Sequence, residues 1–594
     1  MKINQFLLSI RNIRNLDKSK LRRQINTKKL SDGNFIILLL IVIWTLLSAC
    51  SHKKIEKKPV HKLHNGIELP VPWPPRYDQN TEYEVMMAPP YLRQKPDIIN
   101  INTGRQLFTD DFLIEETNME RLCHKPVDYS GNPVLVADKE WEFTRSGRPY
   151  AAPFSDGVWY DEKDDKFKMW YLAGAGKKNL DNGFYTCYAE SDDGKNWKKP
   201  LLDIIPGTNV VDTFLRDAST VWLDKFEKNP EKRYKFFNIE QPWQYVLKYS
   251  SDGIHWSRGV AQSGSIGDRS TAFYNPFTGK WVLSIRTSKR RTDGSYSRGR
   301  NYIENTDPEL LVSLAHQIKK EADDKHIIYW FGPDSMEQRN PGFPDFKPGI
   351  YNFDVIAYES IMLGFFNVHK GPENDVCRKL GIPKRNEINI GFSRDGFHFY
   401  RPTHEVFIGV NESENAWNYG NVQSINGVPI IVGDSLYFYN SGRQLNNIYN
   451  DSHMSTGLST LRRDGFVSML SGKKDGFLLT EKVSFDGKYF FVNADVQGTL
   501  RVEILDENNE PANGYKKDDC IAFTGNSTRQ PISWKNKKNL SDLEGKVIKI
   551  KFYLTDGDLY SFWISPWATG ESRGFTAGGG PALDDSGIDK RKKP

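Results

Sequence analysis

Ser191-Asp192-Asp193-Gly194-Lys195-Asn196-Trp197, Ser251-Asp252-Gly253-Ile254-His255-Trp256 and Ser393-Arg394-Asp395-Gly396-Phe397-His398-Phe399 repeat one phrase, Asp-Gly with an aromatic residue three positions after the glycine. A weaker copy, Arg462-Arg463-Asp464-Gly465-Phe466, follows, and Asn305-Thr306-Asp307-Pro308 stands where another is expected. The aspartates at 193, 252, 307, 395 and 464 are separated by 59, 55, 88 and 69 residues. Asp-Gly is turn chemistry: glycine accepts positive φ and the Asp side chain caps the turn, so each copy marks a hairpin. Repeats of roughly 50 residues built from short strands predict propeller blades, and five marks predict five blades.

Outward from each mark the order repeats, apolar strand, turn, apolar strand, hairpin, with a period of two. Blade one reads as Asp156 to Tyr160, Lys166 to Leu172 and Gly183 to Glu190; blade two as Asp217 to Leu223, Tyr234 to Phe237 and Tyr245 to Tyr249. Blade three carries Ser270 to Tyr274 and Lys280 to Ile285, blade four Glu359 to Phe366 and Ile388 to Phe392, blade five Asn421 to Ser424 and Ser435 to Tyr439. Leu310, Leu311, Leu314 and Ile318 predict a short amphipathic helix inserted between blades three and four, which lengthens the longest interval. The fold class is therefore all-β, a five-bladed propeller over 98–484 followed by a β-sandwich over 485–566, where Leu500, Val502 and Ile504, then Ile548, Ile550, Phe552 and Leu554, alternate with polar residues. The run Arg105 to Ile114 is expected to close the ring against the last blade, and the Gly-rich end, 567–594, to be a flexible tail.

The formal charge of +6 does not make a nucleic-acid binder: residues 1–49 hold nine Lys or Arg against two Asp or Glu, so the leader alone accounts for the excess. That leader is basic, then apolar from Phe35 to Leu47, then Ser48-Ala49-Cys50, the order of a secretory signal. Leu47-Ser48-Ala49-Cys50 resembles a bacterial lipobox, which implies cleavage before Cys50, lipidation of its thiol and, with Ser51 next, the outer membrane of the cell envelope. Residues 51–97, rich in Lys and Pro, are expected to be a flexible tether. Cys123, Cys187, Cys377 and Cys520 are widely spaced and indicate neither a zinc site nor a disulfide framework. No cofactor is called for; a structural calcium or sodium ion in the channel is compatible with the sequence.

The first strand of every propeller blade lines the central channel, so polar residues at blade starts converge although far apart in sequence. Asp156, Asp217, Asp268 and Glu359 are the acids so placed. Glycosidic hydrolysis needs one carboxyl as acid and a second across the bond, about 5 Å away for retention and roughly 6.5–9.5 Å for inversion. In this the chain resembles the five-bladed propeller glycosidases of glycoside hydrolase families 32 and 43, Arg216-Asp217 being similar to the Arg-Asp-Pro motif of family 32 with Ala218 in place of proline. The resemblance implies Asp156 as nucleophile or base, Asp217 as the residue that holds the site and tunes pKa, and Glu359 as acid. Tyr358 and burial would raise the pKa of Glu359, and Arg216 would keep Asp217 ionised. Arg148, Arg216, Asp268, Arg269, Arg286 and Tyr358 are candidates for binding substrate hydroxyls, carboxylate or sulfate, and Trp417, with Asn418, Asn421 and Gln423, for a sugar subsite.

Three functions fit these residues: an exported glycosidase cleaving an oligosaccharide or polysaccharide end, a glycan-binding lipoprotein without turnover, and a polysaccharide lyase using a His-Tyr pair. No phosphate-cradling glycine loop and no His-Glu-x-x-His motif supports a nucleotide or zinc-peptidase reading.

Overall fold

The phrase around Asp193, Asp252 and Asp395 folds the same way three times. Oδ1 of each aspartate accepts two backbone N–H groups, at 2.8 Å from Lys195 and Asn196, 2.8 Å from Ile254 and His255, and 2.9 and 2.8 Å from Phe397 and His398. The hydroxyls of Ser191, Ser250 and Ser393 accept the glycine N–H at 2.9 Å each, and Gly253 turns with φ +79°. The turn left behind offers its carbonyls to the neighbouring blade. Tyr439 Oη donates to Gly194 O at 2.6 Å, Trp170 Nε1 to Gly253 O at 2.7 Å and Trp330 Nε1 to Phe397 O at 2.8 Å. The repeated phrase thus staples each of these blades to the one before it, one buried hydrogen bond per joint.

The structure, a computed structural model, describes residues 61–77, 88–174, 184–291, 294–316, 324–444 and 453–590, apart from the side chains of Leu215 and Asp217. The leader and Cys50 lie outside the described residues. Five blades surround one channel, and all five marks follow a blade's third strand. Blade one contains Val158–Asp161, Lys166–Gly174 and Phe184–Ser191; blade two Val210–Leu223, Tyr234–Glu240, Gln244–Ser250 and Ala261–Ser265. Val210 pairs with Cys187, which joins these two blades into one sheet of eight strands. Blade three is Thr271–Asn275, Lys280–Arg290, Tyr296–Asn305 and Ile328–Phe331. Blade four is Gly349–Glu359, Ile361–Gly371 and Arg385–Ser393; blade five is Asn421–Gln423 with Ile430–Val432, then Ser435–Gln444 and His453–Arg462. The expected helix between blades three and four is Pro308–Leu314, capped by Asp307.

Ring closure differs from the expectation. Gln106–Leu107 pairs with Phe562 and Ser561, and Ile114–Thr117 with Leu478–Thr480, so the run from 105 to 114 belongs to the C-terminal β unit. Blade five is instead completed by Val127–Asp128, which pairs with Thr460 and Ser459. The C-terminal unit draws ten strands from Ile99–Cys123 and from Val467 onward, wider than 485–566, around the two long strands Tyr489–Leu505 and Val547–Ser565. Phe108, Phe490, Phe552 and Phe562 cluster in its interior with ring centroids 5.3–6.1 Å apart.

Two segments expected to be loose are packed. Within the supposed tether Leu63, Ile67 and Leu69 are buried and Asn65 Nδ2 donates to Arg394 O at 2.8 Å, because those apolar residues find a groove against blade four. The supposed tail is ordered through Lys590 and crosses all five blades at one end of the channel. Phe575–Thr576 pairs with Glu359 and Tyr358 of blade four, Phe575 packs on Phe277 of blade three and Phe226 of blade two, Tyr160 N of blade one donates to Gly578 O at 3.0 Å, and Ile431 N of blade five to Gly579 O at 2.9 Å. Its glycines serve proximity rather than mobility: a Cβ on Gly578 would strike Pro429 O, and one on Gly580 would strike Ile431 O.

Candidate active site

All five blades break regularity on the channel wall, and those breaks locate the site. Phe154 (φ +43°), Arg269 (φ +56°) and Ser424 (φ +62°) take left-handed backbone at the starts of blades one, three and five. The inner strand of blade two shifts register between Arg216 and Ser219, and that of blade four between Ile350 and Asn352. Such departures re-aim side chains and persist where the surroundings impose them. They also touch one another. Arg269 Cζ lies 4.3 Å from the Phe154 ring centroid, Arg300 Nη2 donates to Arg269 O at 2.9 Å and Nη1 to Tyr351 O at 3.4 Å, and Ser424 Oγ donates to Asn352 Oδ1 at 3.2 Å.

Two carboxylates occupy this wall in opposite surroundings. Asp156 is buried and ion-paired with Arg216, whose Nη1 and Nη2 donate to Oδ1 at 3.0 Å and Oδ2 at 2.6 Å while Nε donates to Thr186 Oγ1 at 2.6 Å. Asp354, on the inner strand of blade four, has no such fork: its Oδ2 accepts Asn352 Nδ2 at 2.9 Å and Ile425 N at 3.0 Å, and buried Oδ1 makes no hydrogen bond. Burial pushes its pKa up to about 7, against the opposing pull of the Ile425 amide, the Ser155 hydroxyl and the Arg300 charge. Asp354 is thus protonated in mildly acid solution.

Beside them stands a cationic wall from blades three and four. Asp268 is shared by Arg286 and by Arg298, whose Nη2 lies 3.3 Å from Oδ1; burial alone would raise the Asp268 pKa, but Arg298, Arg286 and Arg269 together hold it below its ordinary value. Arg298 Cζ is 3.9 Å from the centroid of the Tyr351 ring and Lys384 Nζ is 4.4 Å from it. Burial would raise the Tyr351 phenol, yet Lys384 and Arg298 bring it below its usual value. Arg300 is pulled down to about 9, first by burial and then by Arg298. Buried Gln423 Nε2, both amide atoms of Asn440 and Arg298 Nε make no hydrogen bond.

The structure therefore brings together Asp156, Arg216, Asp268, Arg269 and Gln423, with Asn421 alongside through its bond to Lys384 O at 3.0 Å. Asp217 lies on the inner strand of blade two, within its bulge, with its side chain outside the described residues. Arg148 sits on the loop before blade one, its Nε donating to Ser146 Oγ at 3.0 Å. Trp417 lies over Gly442 and Gly457 of blade five and lines a separate cavity of about 630 Å³ with Phe143, Pro149, Gln444 and Met454.

Glu359 and Tyr358 are not part of the channel wall. Blade four begins with Gly349–Glu359, so Glu359 ends the inner strand instead of starting it; the run after it is the second strand. Five residues separate it from Asp354, roughly 17 Å along a strand and on the opposite face. There Glu359 Oε1 accepts Arg463 Nη2 at 3.0 Å, Oε2 accepts Ser572 Oγ at 2.5 Å and Arg105 N at 3.1 Å, and Tyr358 Oη donates to Asp464 Oδ1 at 2.6 Å. These groups are locked in the joint between propeller, C-terminal unit and tail. Asp354, Tyr351, Arg298 and Lys384 were the residues overlooked. Their signals were an acid inside the apolar run Ile350 to Ala357, and six Lys or Arg against one Asp over 286–300.

Among the described residues Asp334, Glu337 and His404 come within 4.8 Å of one another, the spacing of metal ligands. Arg401 already forks onto Glu337, and His404 Nε2 is 2.8 Å from Asp334 Oδ2, so the cluster meets its own polar needs.

No protein-family model and no curated protein matches the chain. Among solved structures it is similar to a glycosyl hydrolase from Bacteroides ovatus (12% identity, 60% of this chain and 96% of that one, TM-score 0.36). It is similar to the β-fructofuranosidase of Schwanniomyces occidentalis complexed with fructosyl-erythritol (9% identity, 74% and 96%, TM-score 0.32). A third is a structure from the GH130 family of mannoside phosphorylases, which contains hydrolases targeting β-1,2 mannosidic linkages in Candida mannan (11% identity, 57% and 94%, TM-score 0.37). The five-bladed propeller itself is read from this chain's own strands and their pairing.

Proposed function

We propose that the chain is an exported glycoside hydrolase that cleaves the glycosidic bond at the end of an oligosaccharide or polysaccharide held in the propeller channel. The observation that carries this is the contrast between Asp354, protonated in mildly acid solution on blade four, and Asp156, an ion-paired carboxylate at the start of blade one. Environments that set two carboxyls apart in this way supply an acid and an anionic partner together. Asp354 gives its proton to the glycosidic oxygen as the C–O bond breaks, and the Asp156 carboxylate acts across the bond as base or nucleophile. Delivery follows the leader, with lipidation at Cys50 fixing the enzyme to the envelope membrane. The test is a panel of algal, plant and host glycans: the wild-type protein releases new reducing ends, and Asp354→Asn lowers the rate about 10³-fold while still binding. Unchanged turnover in Asp354→Asn would remove the assignment, and a panel that is bound but never cleaved would leave a glycan-binding lipoprotein.

A second reading, a lyase, is favoured by Tyr351. Lys384 and Arg298 hold its phenol below the usual range, and the His369 ring is 5.8 Å away. In that reading the phenolate takes the proton α to a uronate carboxylate, the C–O bond to the leaving sugar breaks, and a C=C bond forms without consuming water. An unsaturated product separates it from hydrolysis.

A further inference from the structure

We infer that the sugar unit this channel binds is anionic, its carboxylate or sulfate seated against Arg298, Arg286 and Lys384 on the wall between blades three and four. The inference rests on the channel being the glycan site proposed above, and it names the class of glycan.

The argument begins with charge pairing. Elsewhere in the propeller buried cations have carboxylates of their own: Lys168 has Asp161, Lys225 has Glu162, Lys248 has Asp212, Arg394 has Asp110 and Arg401 has Glu337. That is the ordinary solution, since an uncompensated buried charge is costly. The channel wall departs from it. Among the described side chains Arg286, Arg298, Arg300 and Lys384 stand against Asp268 and Asp354, and Asp354 is neutral below about pH 7.

Mutual repulsion registers in the wall itself. Arg298 lies below the usual guanidinium range, first through burial, with Arg286 and Arg269 adding to the fall against Asp268 and Tyr351. Its side chain is 14% exposed, its Nε has no hydrogen-bond partner, and its plane stacks on Tyr351, which fixes its direction without using its donors. A guanidinium so held matches the two-oxygen edge of a carboxylate or sulfate, and Lys384 on the same phenol adds a point charge. An anion arriving here relieves repulsion as well as forming bonds, whereas a neutral sugar brings only hydroxyls. Aromatic rings nearby, Tyr351 and Phe154, are already covered by cations, so the wall offers guanidinium and ammonium groups in place of an open stacking face.

The test is calorimetry on the full-length protein at pH 6 with three oligosaccharides of equal length, ending in a uronate, a sulfated sugar or a neutral sugar, each at low and at high salt. One anionic ligand should bind at least tenfold more tightly than the neutral one, with the gap narrowing as salt screens it. Whichever of uronate and sulfate binds more tightly identifies the group. Arg298→Gln and, independently, Lys384→Gln should each reduce that preference several-fold while leaving the melting temperature within a few degrees. Equal binding of the neutral ligand, binding of none of the three, or a preference untouched in both folded variants would overturn the inference. Tight uronate binding without cleavage would defeat the hydrolase reading and leave this one standing; cleavage of neutral ends with no anionic preference would do the reverse.

Discussion

The two ends of the propeller channel solve the problem of buried charge in opposite ways. At the far end Arg105 and Arg463 face Glu359, Asp464 and Asp589, all with side chains at most 4% exposed, and serines, a tyrosine and backbone groups add hydrogen bonds, although Arg105 Nε and Nη2 and Arg463 Nε make none. Burial pushes Asp464 upward, yet Arg105 and Arg463 bring it down to about 2. At the near end, among the described side chains, cations outnumber carboxylates; unpaired polar atoms and left-handed backbone occur at both ends, at Glu359 and Asp464 as at Phe154 and Arg269. The first arrangement meets its cations with at least as many carboxylates, a structural joint; the second carries a surplus of cations among its described side chains. Density of charged groups alone does not separate a site from a joint, and the balance of partners does.

The sharpest way to break this comparison is at the joint. Arg463→Ala leaves Glu359 and Asp589 without their shared partner, and should cost about 3–5 kcal/mol of stability with no change in turnover per folded molecule; urea unfolding together with a rate assay checks both halves. Loss of turnover at full stability would place chemistry at the far end after all.

Next comes the acidity of Asp354. Its folded pKa, about 7, stands above the ordinary 3.8, so between those values the native state holds a proton that the unfolded chain has released. Stability therefore falls as pH rises from about 4 to about 7, by at most about 4 kcal/mol, and is level beyond. Asp354→Asn should lack that fall and be the more stable protein at pH 8, and wild-type hydrolysis should decline through pH 7 as the proton donor empties. Urea midpoints at pH 5 and pH 8, with the matching rates, decide it.

The smallest effect concerns the staples that both ends share. Trp170→Phe keeps the ring but removes the donor to Gly253 O, and should cost about 1–2 kcal/mol, read as a lower melting temperature with unchanged glycan preference.

Much of the architecture was legible in the sequence because its punctuation is local. A serine, an aspartate and a glycine within four residues contain the whole turn, so three of the five marks and the strands beside them followed from it. What depended on distant partners was not legible. The run from 105 to 114 alternates like any half-buried strand, and nothing in it distinguishes blade five from Phe562 as its neighbour. The tail was misjudged because glycine chosen for close approach reads the same as glycine chosen for freedom. In the site, taking Glu359 to Phe366 for the first strand of blade four reversed the position of Glu359 and passed over Asp354, four positions after Ile350 in a largely apolar run.

The last residues of the chain have a further consequence. Because Phe575 to Ile588 touches every blade, one short segment ties the whole ring, and a chain cut before Phe575 loses contacts on all five blades at once.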